Sequence, residues 1–275
     1  MINAFFAALN EKNRDRRNVI GKGECAMRQF FQKATASVKG RILLVSAAVL
    51  LLAAVAVGIW YFAVQLPQQQ AHAAVIEALQ AYYNDKVTLF EKENAQYTTG
   101  QVDVVFLGDS LTDGYPVTEY YSEYMVVNRG IGGDTTYGLE DRLQVSVYDL
   151  QPKVAVMLIG ANNMQTMFDN YERILQGLQE NLPNTKIVLL SLTAMGRDWG
   201  RNNHLAAFNN VKIKKLAKEY GFAYVDLYTP LLDLQTNEIY EAYTTDGGHL
   251  TQQGYQVVTD ALLPVLDAFL QGNKS

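Results

Sequence analysis

Cysteine is nearly absent from this chain of 275 residues, which contains only Cys25. A single thiol excludes a disulfide framework and any zinc site built from cysteines. His, Asp and Glu form no cluster with the spacing of metal ligands, so we expect a protein that needs no metal or cofactor. Charged residues are also few, at 19%, but apolar residues make up 49%, which excludes an intrinsically disordered chain.

Positive charge is scarce in the larger part of the chain. Residues 1–41 hold nine Lys and Arg against three Asp and Glu, whereas residues 65–275 hold 14 against 25. An acidic main domain argues against nucleic-acid binding. The length predicts one globular unit with an appendage.

The segment between these regions, residues 42–64, carries no charge and is apolar apart from Ser46 and Gly58. A helix of this length spans about 35 Å, enough to cross a bilayer core of about 30 Å. A buried core helix is disfavoured because it would carry a polar stripe. A cleaved signal peptide stays an alternative, since residues 71–73, Ala-His-Ala, have the small-x-small pattern. The pattern favours a transmembrane helix.

The flanking charges predict the orientation of this helix. Lys39 and Arg41 precede it, while residues 65–70 carry no charge. The positive-inside rule makes residues 1–41 a cytoplasmic tail and places the rest of the chain outside the membrane. Met27 is an alternative start that would not change this topology.

Residues 65–99 are predicted to form a helical stalk and linker, with residues 100–275 as the main domain. Apolar residues recur in the stalk at spacings of three and four, which indicates a helix from residue 67 to about residue 94. The stripe either packs on the main domain or pairs in a coiled-coil dimer. It consists of Val75, Leu79, Tyr82, Tyr83, Val87 and Phe90.

The main domain alternates short apolar runs with helical patterns. The runs are continuous, as in strands buried on both faces of a parallel sheet. The alternation predicts a three-layer α/β/α sandwich. The predicted strands are residues 102–107, 125–127, 154–159, 187–192 and 222–225.

Several local signals predict where the helices begin and end. Asp169 and Glu172 are placed as a capping box for a helix near residue 171. Another helix spans residues 203–220 and ends at Gly221. A last helix follows Thr251 and meets Pro264, which should kink or restart it.

Ligands of open α/β sheets bind beyond the carboxyl ends of the strands. The first strand ends in Gly-Asp-Ser-Leu at residues 108–111, where Ser110 would project its hydroxyl from the sheet edge. An ordinary helix N-cap is the alternative. No Gly-x-Ser-x-Gly motif occurs in the sequence, which disfavours the usual α/β-hydrolase arrangement.

The next two strand ends carry possible hydrogen-bond donors. Residues 128–135, Asn-Arg-Gly-Ile-Gly-Gly-Asp-Thr, form a glycine loop that can cradle an anion or oxyanion. A dinucleotide fingerprint would follow the first strand and have other spacing. Residues 160–163, Gly-Ala-Asn-Asn, place Asn162 where its amide can donate to an oxyanion or simply cap a turn.

The turn before the last helix contains Asp246 and His249. Catalysis through serine needs a base for the hydroxyl proton and a carboxylate to orient that base. An Asp and a His three residues apart in a turn can meet both needs.

These four blocks, in this order, resemble the SGNH, or GDSL-type, hydrolase superfamily over roughly residues 100–270. The glycine loop and Gly-Ala-Asn-Asn look most like the platelet-activating-factor acetylhydrolase type and its bacterial esterase relatives. The resemblance implies a flavodoxin-like sheet of five parallel strands. It also implies Ser110 as nucleophile, His249 as base and Asp246 as its partner, with an oxyanion hole from the Ser110 N–H, the Gly133 N–H and Asn162. Gly130 is a second choice for the loop donor.

The sequence therefore predicts a membrane-anchored serine ester hydrolase of the cell envelope, acting on short-chain acyl or acetyl esters of glycans or lipids. Between residues 195 and 203, Trp199 could stack on a sugar, with Arg197 or Arg201 meeting an anionic group; a solvated loop is the alternative. Lysophospholipase, thioesterase or acyltransferase activity at the same site stays open. A protein of another class, a non-catalytic carbohydrate or lipid binder of the envelope, is a further alternative.

Overall fold

The computed structural model describes residues 23–33, 35–200 and 202–272. The chain forms two compact units, Met1–Val75 and Ile76–Ser275. Residues 1–22, most of the predicted cytoplasmic tail, and Arg201 lie outside the described residues.

One long helix begins in the first unit and ends in the second. Helix α1 (Val38–Trp60) continues through a π-helical turn (Tyr61–Gln65) into α2 (Leu66–Asn94). Ser37 caps α1, since its hydroxyl accepts a hydrogen bond from the Gly40 N–H at 3.0 Å. The helix is long and apolar enough to cross a membrane, and no residue of α1 is buried in protein.

The second unit contains the predicted sheet of five parallel strands, in the order β2-β1-β3-β4-β5. This order confirms the flavodoxin-like α/β prediction. Each predicted strand is present, with bounds that differ by a few residues at some ends. The strands are β1 (Val104–Gly108), β2 (Val126–Gly130), β3 (Val154–Leu158), β4 (Lys186–Leu190) and β5 (Ala223–Val225).

Helices cover both faces of the sheet. Successive side chains of a strand point to opposite faces, and in β1 Val105 and Leu107 join one core while Val104 and Phe106 join the other. The first core includes residues of α5 (Thr136–Asp141), α6 (Tyr171–Asn181) and α7 (Asn203–Tyr220). The second includes residues of α4 (Val117–Tyr120), α8 (Tyr228–Leu231) and α9 (Gln252–Leu270). The helix α3 (Ser110–Asp113) is a single turn after β1, and a short hairpin, β6 (Leu232–Asp233) with β7 (Glu238–Ile239), precedes α9.

The predicted helix ends are partly right. Helix α7 has the predicted bounds and ends at Gly221, whose φ is +70°. The predicted capping box is wrong, because α6 has Asn170 as its N-cap and Asp169 lies in a preceding 3-10 turn. Helix α9 does not restart at Pro264 but continues through it.

The C-terminal part of α2 belongs to the second unit, where it packs on the globular domain. Phe90 is buried against Ile131 and Val145, and the Arg129 guanidinium lies 4.6 Å from the centre of its ring. Arg129 also pairs with Glu93. The predicted apolar stripe therefore packs on the globular domain through its C-terminal residues.

Candidate active site

The site begins at the turn that follows β1. Asp109 is the N-cap of α3, and its Oδ1 accepts from the Leu111 N–H at 3.1 Å. The N-cap alternative for Ser110 is therefore wrong, because the neighbouring aspartate caps the helix and Ser110 is its first residue. A Cβ at Gly108 would lie 2.3 Å from the Leu158 carbonyl oxygen, so this close packing requires glycine.

His249 lies between Asp246 and Ser110. Its Nε2 is 3.1 Å from the Ser110 Oγ, and its Nδ1 is 2.7 Å from the Asp246 Oδ2. The structure thus brings the three predicted triad residues together from turns 139 residues apart in the chain. The arrangement suits proton transfer from the hydroxyl to the imidazole, with the carboxylate holding Nδ1 protonated.

The Asp246 carboxylate also organises its own turn. Its Oδ1 accepts from the backbone N–H of Gly248 at 3.0 Å and of His249 at 2.8 Å. Burial raises the pKa of Asp246, but these hydrogen bonds and the His249 side chain outweigh it, so the net pKa is lowered. Asp246 is therefore charged at neutral pH, as an orienting partner must be.

Trp199 lies against this histidine. The two ring centres are 4.6 Å apart and the planes are nearly perpendicular. A Cβ at Gly248 would come within 2.2 Å of the indole, so glycine is needed there for Trp199 to pack. Arg197, predicted as a possible anion ligand, instead forms an ion pair with Glu238 at 2.7 Å.

The glycine loop presents one backbone donor. The Gly130 N–H donates to the Asn128 Oδ1 at 2.8 Å, and the Gly132 N–H donates to the Asp113 Oδ2 at 3.0 Å. Gly133 adopts a φ of +79°, and its N–H has no acceptor among the residues that the structure describes. The second choice, Gly130, is thus already engaged.

Asn162 and Asn163 have different environments after β3. The Asn162 Nδ2 donates to the Asp134 carbonyl at 2.7 Å, which ties this side chain to the glycine loop. Asn163 bonds with Thr136, since its Oδ1 accepts from the N–H at 3.3 Å and its Nδ2 donates to the hydroxyl at 2.9 Å. Asn163 therefore serves the packing of α5.

A buried arginine that the sequence analysis did not identify stabilises the glycine loop. Arg142 pairs with the Asp134 carboxylate at 2.8 Å and donates to the carbonyls of Arg129 at 2.7 Å and Gly108 at 3.0 Å. Burial lowers the pKa of Arg142, and the charge of Asp134 opposes this change. Arg142 thus joins the end of β1, the end of β2 and the loop.

Asp113, at the end of α3, is a second residue for which the sequence predicts no role. Besides the Gly132 N–H, it accepts from the Tyr82 hydroxyl at 2.5 Å and pairs with the Lys86 Nζ at 2.8 Å. The serine turn, the glycine loop and α2 therefore meet at one carboxylate.

Comparisons with known proteins agree with this architecture. A solved Streptococcus pneumonia structure whose name refers to platelet activating factor is 27% identical, with a TM-score of 0.67, over 72% of this chain and 99% of the other. A GDSL-like lipase from Bacteroides thetaiotaomicron is 23% identical, with a TM-score of 0.61, over 67% and 98%. An acetyl xylan esterase is 23% identical, with a TM-score of 0.53, over 60% and 99%. The last two show the shared fold alone.

A search of curated proteins finds no match. The model of the GDSL-like Lipase/Acylhydrolase family matches residues 106–257, more than half of the chain. These limits include the serine turn, the glycine loop, Asn162 and the Asp246–His249 turn. The chain belongs to the GDSL-like lipase/acylhydrolase family and is a carboxylic ester hydrolase.

Proposed function

We propose that this protein is a membrane-anchored esterase that acts outside the cytoplasmic membrane through an acyl-serine intermediate. The observation that carries the proposal is the continuous hydrogen-bonded chain from Asp246 through His249 to Ser110. A serine hydroxyl is a weak nucleophile until an adjacent base takes its proton.

The first half of the reaction forms the acyl-enzyme. His249 Nε2 takes the proton as Ser110 Oγ attacks the ester carbonyl carbon, and the carbonyl oxygen becomes negatively charged. Asp246 stabilises the imidazolium formed on His249. When the tetrahedral intermediate collapses, the alcohol leaves with the proton from His249.

The second half releases the acid. His249 deprotonates a water molecule, which attacks the acyl carbon, and the proton then returns to the Ser110 Oγ as the ester bond to serine breaks. An acceptor hydroxyl in place of water would make the same site an acyltransferase.

Three donors are assigned to the oxyanion: the N–H of Ser110, the N–H of Gly133 and the Asn162 amide. Ser110 is the first residue of α3, where N–H groups have no partner within the helix. Asn162 is held in place through Asp134. Donors fixed before the reaction stabilise charge without reorganisation.

The proposed location is supported by the long apolar helix and by Lys39 and Arg41 in front of it. The proposed substrates are short-chain acyl or acetyl esters of envelope glycans or lipids. His249 and Asp246 have side chains that are 41% and 44% exposed, which suits an open site that accepts a bulky alcohol.

A series of p-nitrophenyl esters, assayed with the full chain in detergent, tests the proposal. Wild type should hydrolyse esters with short acyl chains. Ser110→Ala should keep at most a residual rate of hydrolysis, because the nucleophile and its base act as a unit. Added glycan acceptors report any transfer. Absence of hydrolysis and transfer with every ester would favour a non-catalytic binder.

A further inference from the structure

A cavity of about 340 Å³ lies between α2 and the glycine loop. Ile76, Leu79 and Tyr83 line it from the helix, and Gly132, Gly133 and Asp134 line it from the loop. The cavity therefore includes the residue whose N–H is assigned to the oxyanion.

The helix is held firmly against this loop. A Cβ at Gly133 would lie 3.4 Å from the Leu79 Cδ2, and the Tyr83 hydroxyl donates to the Gly138 carbonyl at 2.9 Å. The bonds of Asp113 with Tyr82 and Gly132 add a second attachment. The helix wall is thus a fixed part of the cavity.

The lining suits an uncharged apolar group. Ile76 and Leu79 are 54% and 49% exposed although both are large and apolar. The charged side chains among the lining residues are the carboxylates of Asp134 and Asp141, and Asp134 is paired with Arg142. A phosphate or carboxylate would meet repulsion here, whereas an aliphatic chain would cover exposed apolar surface.

The position of His249 indicates which side of the ester, acyl or alcohol, can enter the cavity. The leaving alcohol takes its proton from His249, so it must lie near Nε2. The lining residues of the cavity include none from the turn at residues 244–249. The cavity shares Gly133 with the proposed oxyanion hole and no residue with the histidine turn, which leaves the acyl side of the ester as the side that can enter the cavity.

We infer that this cavity binds the acyl chain of the substrate, an aliphatic chain longer than acetyl, and that Ile76 and Leu79 set the chain-length preference. The inference rests on the proposed esterase function and deepens it. It makes the helix that continues from the apolar N-terminal segment part of the substrate site.

The test compares kcat/KM for p-nitrophenyl hexanoate and acetate with the full chain in detergent. Wild type should prefer hexanoate. Leu79→Trp, which narrows the cavity, should lower the hexanoate-to-acetate ratio at least about 10-fold, since each added methylene in a pocket changes discrimination by about this much. Leu89→Trp is the matched control, because Leu89 is 45% exposed on the same helix and does not line the cavity.

Ile76→Trp is a second variant in case Leu79→Trp unfolds, and it should lower the ratio in the same way. A second experiment compares wild type and Leu79→Trp on the hexanoyl esters of glycerol and of glucose. If the variant loses hydrolysis of either ester, the inference is supported. The glycerol ester would identify a lipid, and the glucose ester a glycan, as the source of the acyl chain. An unchanged ratio in the variants, or a wild type that prefers acetate, overturns the inference alone. Absence of any hydrolysis by wild type would instead contradict the proposed function.

Discussion

Asp246 is the residue whose role is most sharply defined by its contacts. Its Oδ2 holds the His249 Nδ1, and its Oδ1 accepts two backbone N–H groups. Asp246→Asn keeps the shape but offers an amide that can favour the wrong imidazole tautomer. We expect kcat to fall about 10⁴-fold, with only a small decrease of the melting temperature from the lost carboxylate charge. A loss of less than 10-fold in steady-state assays would remove Asp246 from the triad.

Adjacent asparagines provide a test of the oxyanion assignment. Asn162→Ala should lower kcat about 100- to 1,000-fold, because one donor to the developing charge is lost. Asn163→Ala is the matched control: its bonds with Thr136 are structural, so it should lower stability by about 1 kcal/mol with a much smaller effect on kcat. Equal effects of both variants on kcat would contradict the assignment of Asn162.

At the scale of single residues, the sequence predicts functional residues where they belong to a local motif. Gly-Asp-Ser-Leu and Asp-x-x-His place chemistry within a few residues of a strand end. Arg142 and Asp113 could not be found in that way, because their partners lie on other elements. The Arg142 site requires β1, β2 and the loop to converge, and no spacing pattern in the sequence encodes that contact.

Among the elements, α2 contributes a contact that depends on pH. Burial, with the hydrogen bond and charge of Asp113, raises the pKa of Tyr82 to about 12. A tyrosine in the unfolded chain has a pKa of about 10. The stability from this bond is therefore complete below pH 10 and is lost as the pH rises toward 12.

Melting temperatures of wild type and Tyr82→Phe between pH 9 and pH 12 test this expectation. The variant lacks the hydroxyl, so its melting temperature should fall less steeply from pH 10 upward. Other groups titrate equally in both proteins and cancel in the comparison. Parallel curves would show that the Tyr82–Asp113 bond does not hold α2 on the serine turn.

The elements themselves were largely predictable. Continuous apolar runs predicted all five strands, because parallel strands are buried on both faces. Helix caps were harder to predict. Asp169 and Glu172 match the pattern of a capping box, but Asn170 occupies the N-cap position. The Asp169 carboxylate instead accepts a hydrogen bond from the Tyr137 hydroxyl. Pro264 lies within α9, whose apolar face includes the buried Leu262 and Leu266, so tertiary packing outweighs the local preference.

For the whole molecule, the single cysteine provides a test of the proposed topology. Cys25 is exposed, and the proposal places it in the cytoplasm. A membrane-impermeant maleimide should label it only after cells are permeabilised. A Gln235→Cys variant in a Cys25→Ser background should be labelled in intact cells. The reverse pattern would contradict the orientation inferred from Lys39 and Arg41.

The central claim is that Ser110 is a nucleophile activated by His249 and Asp246. Its most direct test is the reaction of the full chain with a fluorophosphonate, followed by mass spectrometry of the peptides. We expect a single adduct on Ser110, absent in Ser110→Ala and strongly reduced in His249→Ala. No adduct on the wild type, or one on another residue, would contradict the account.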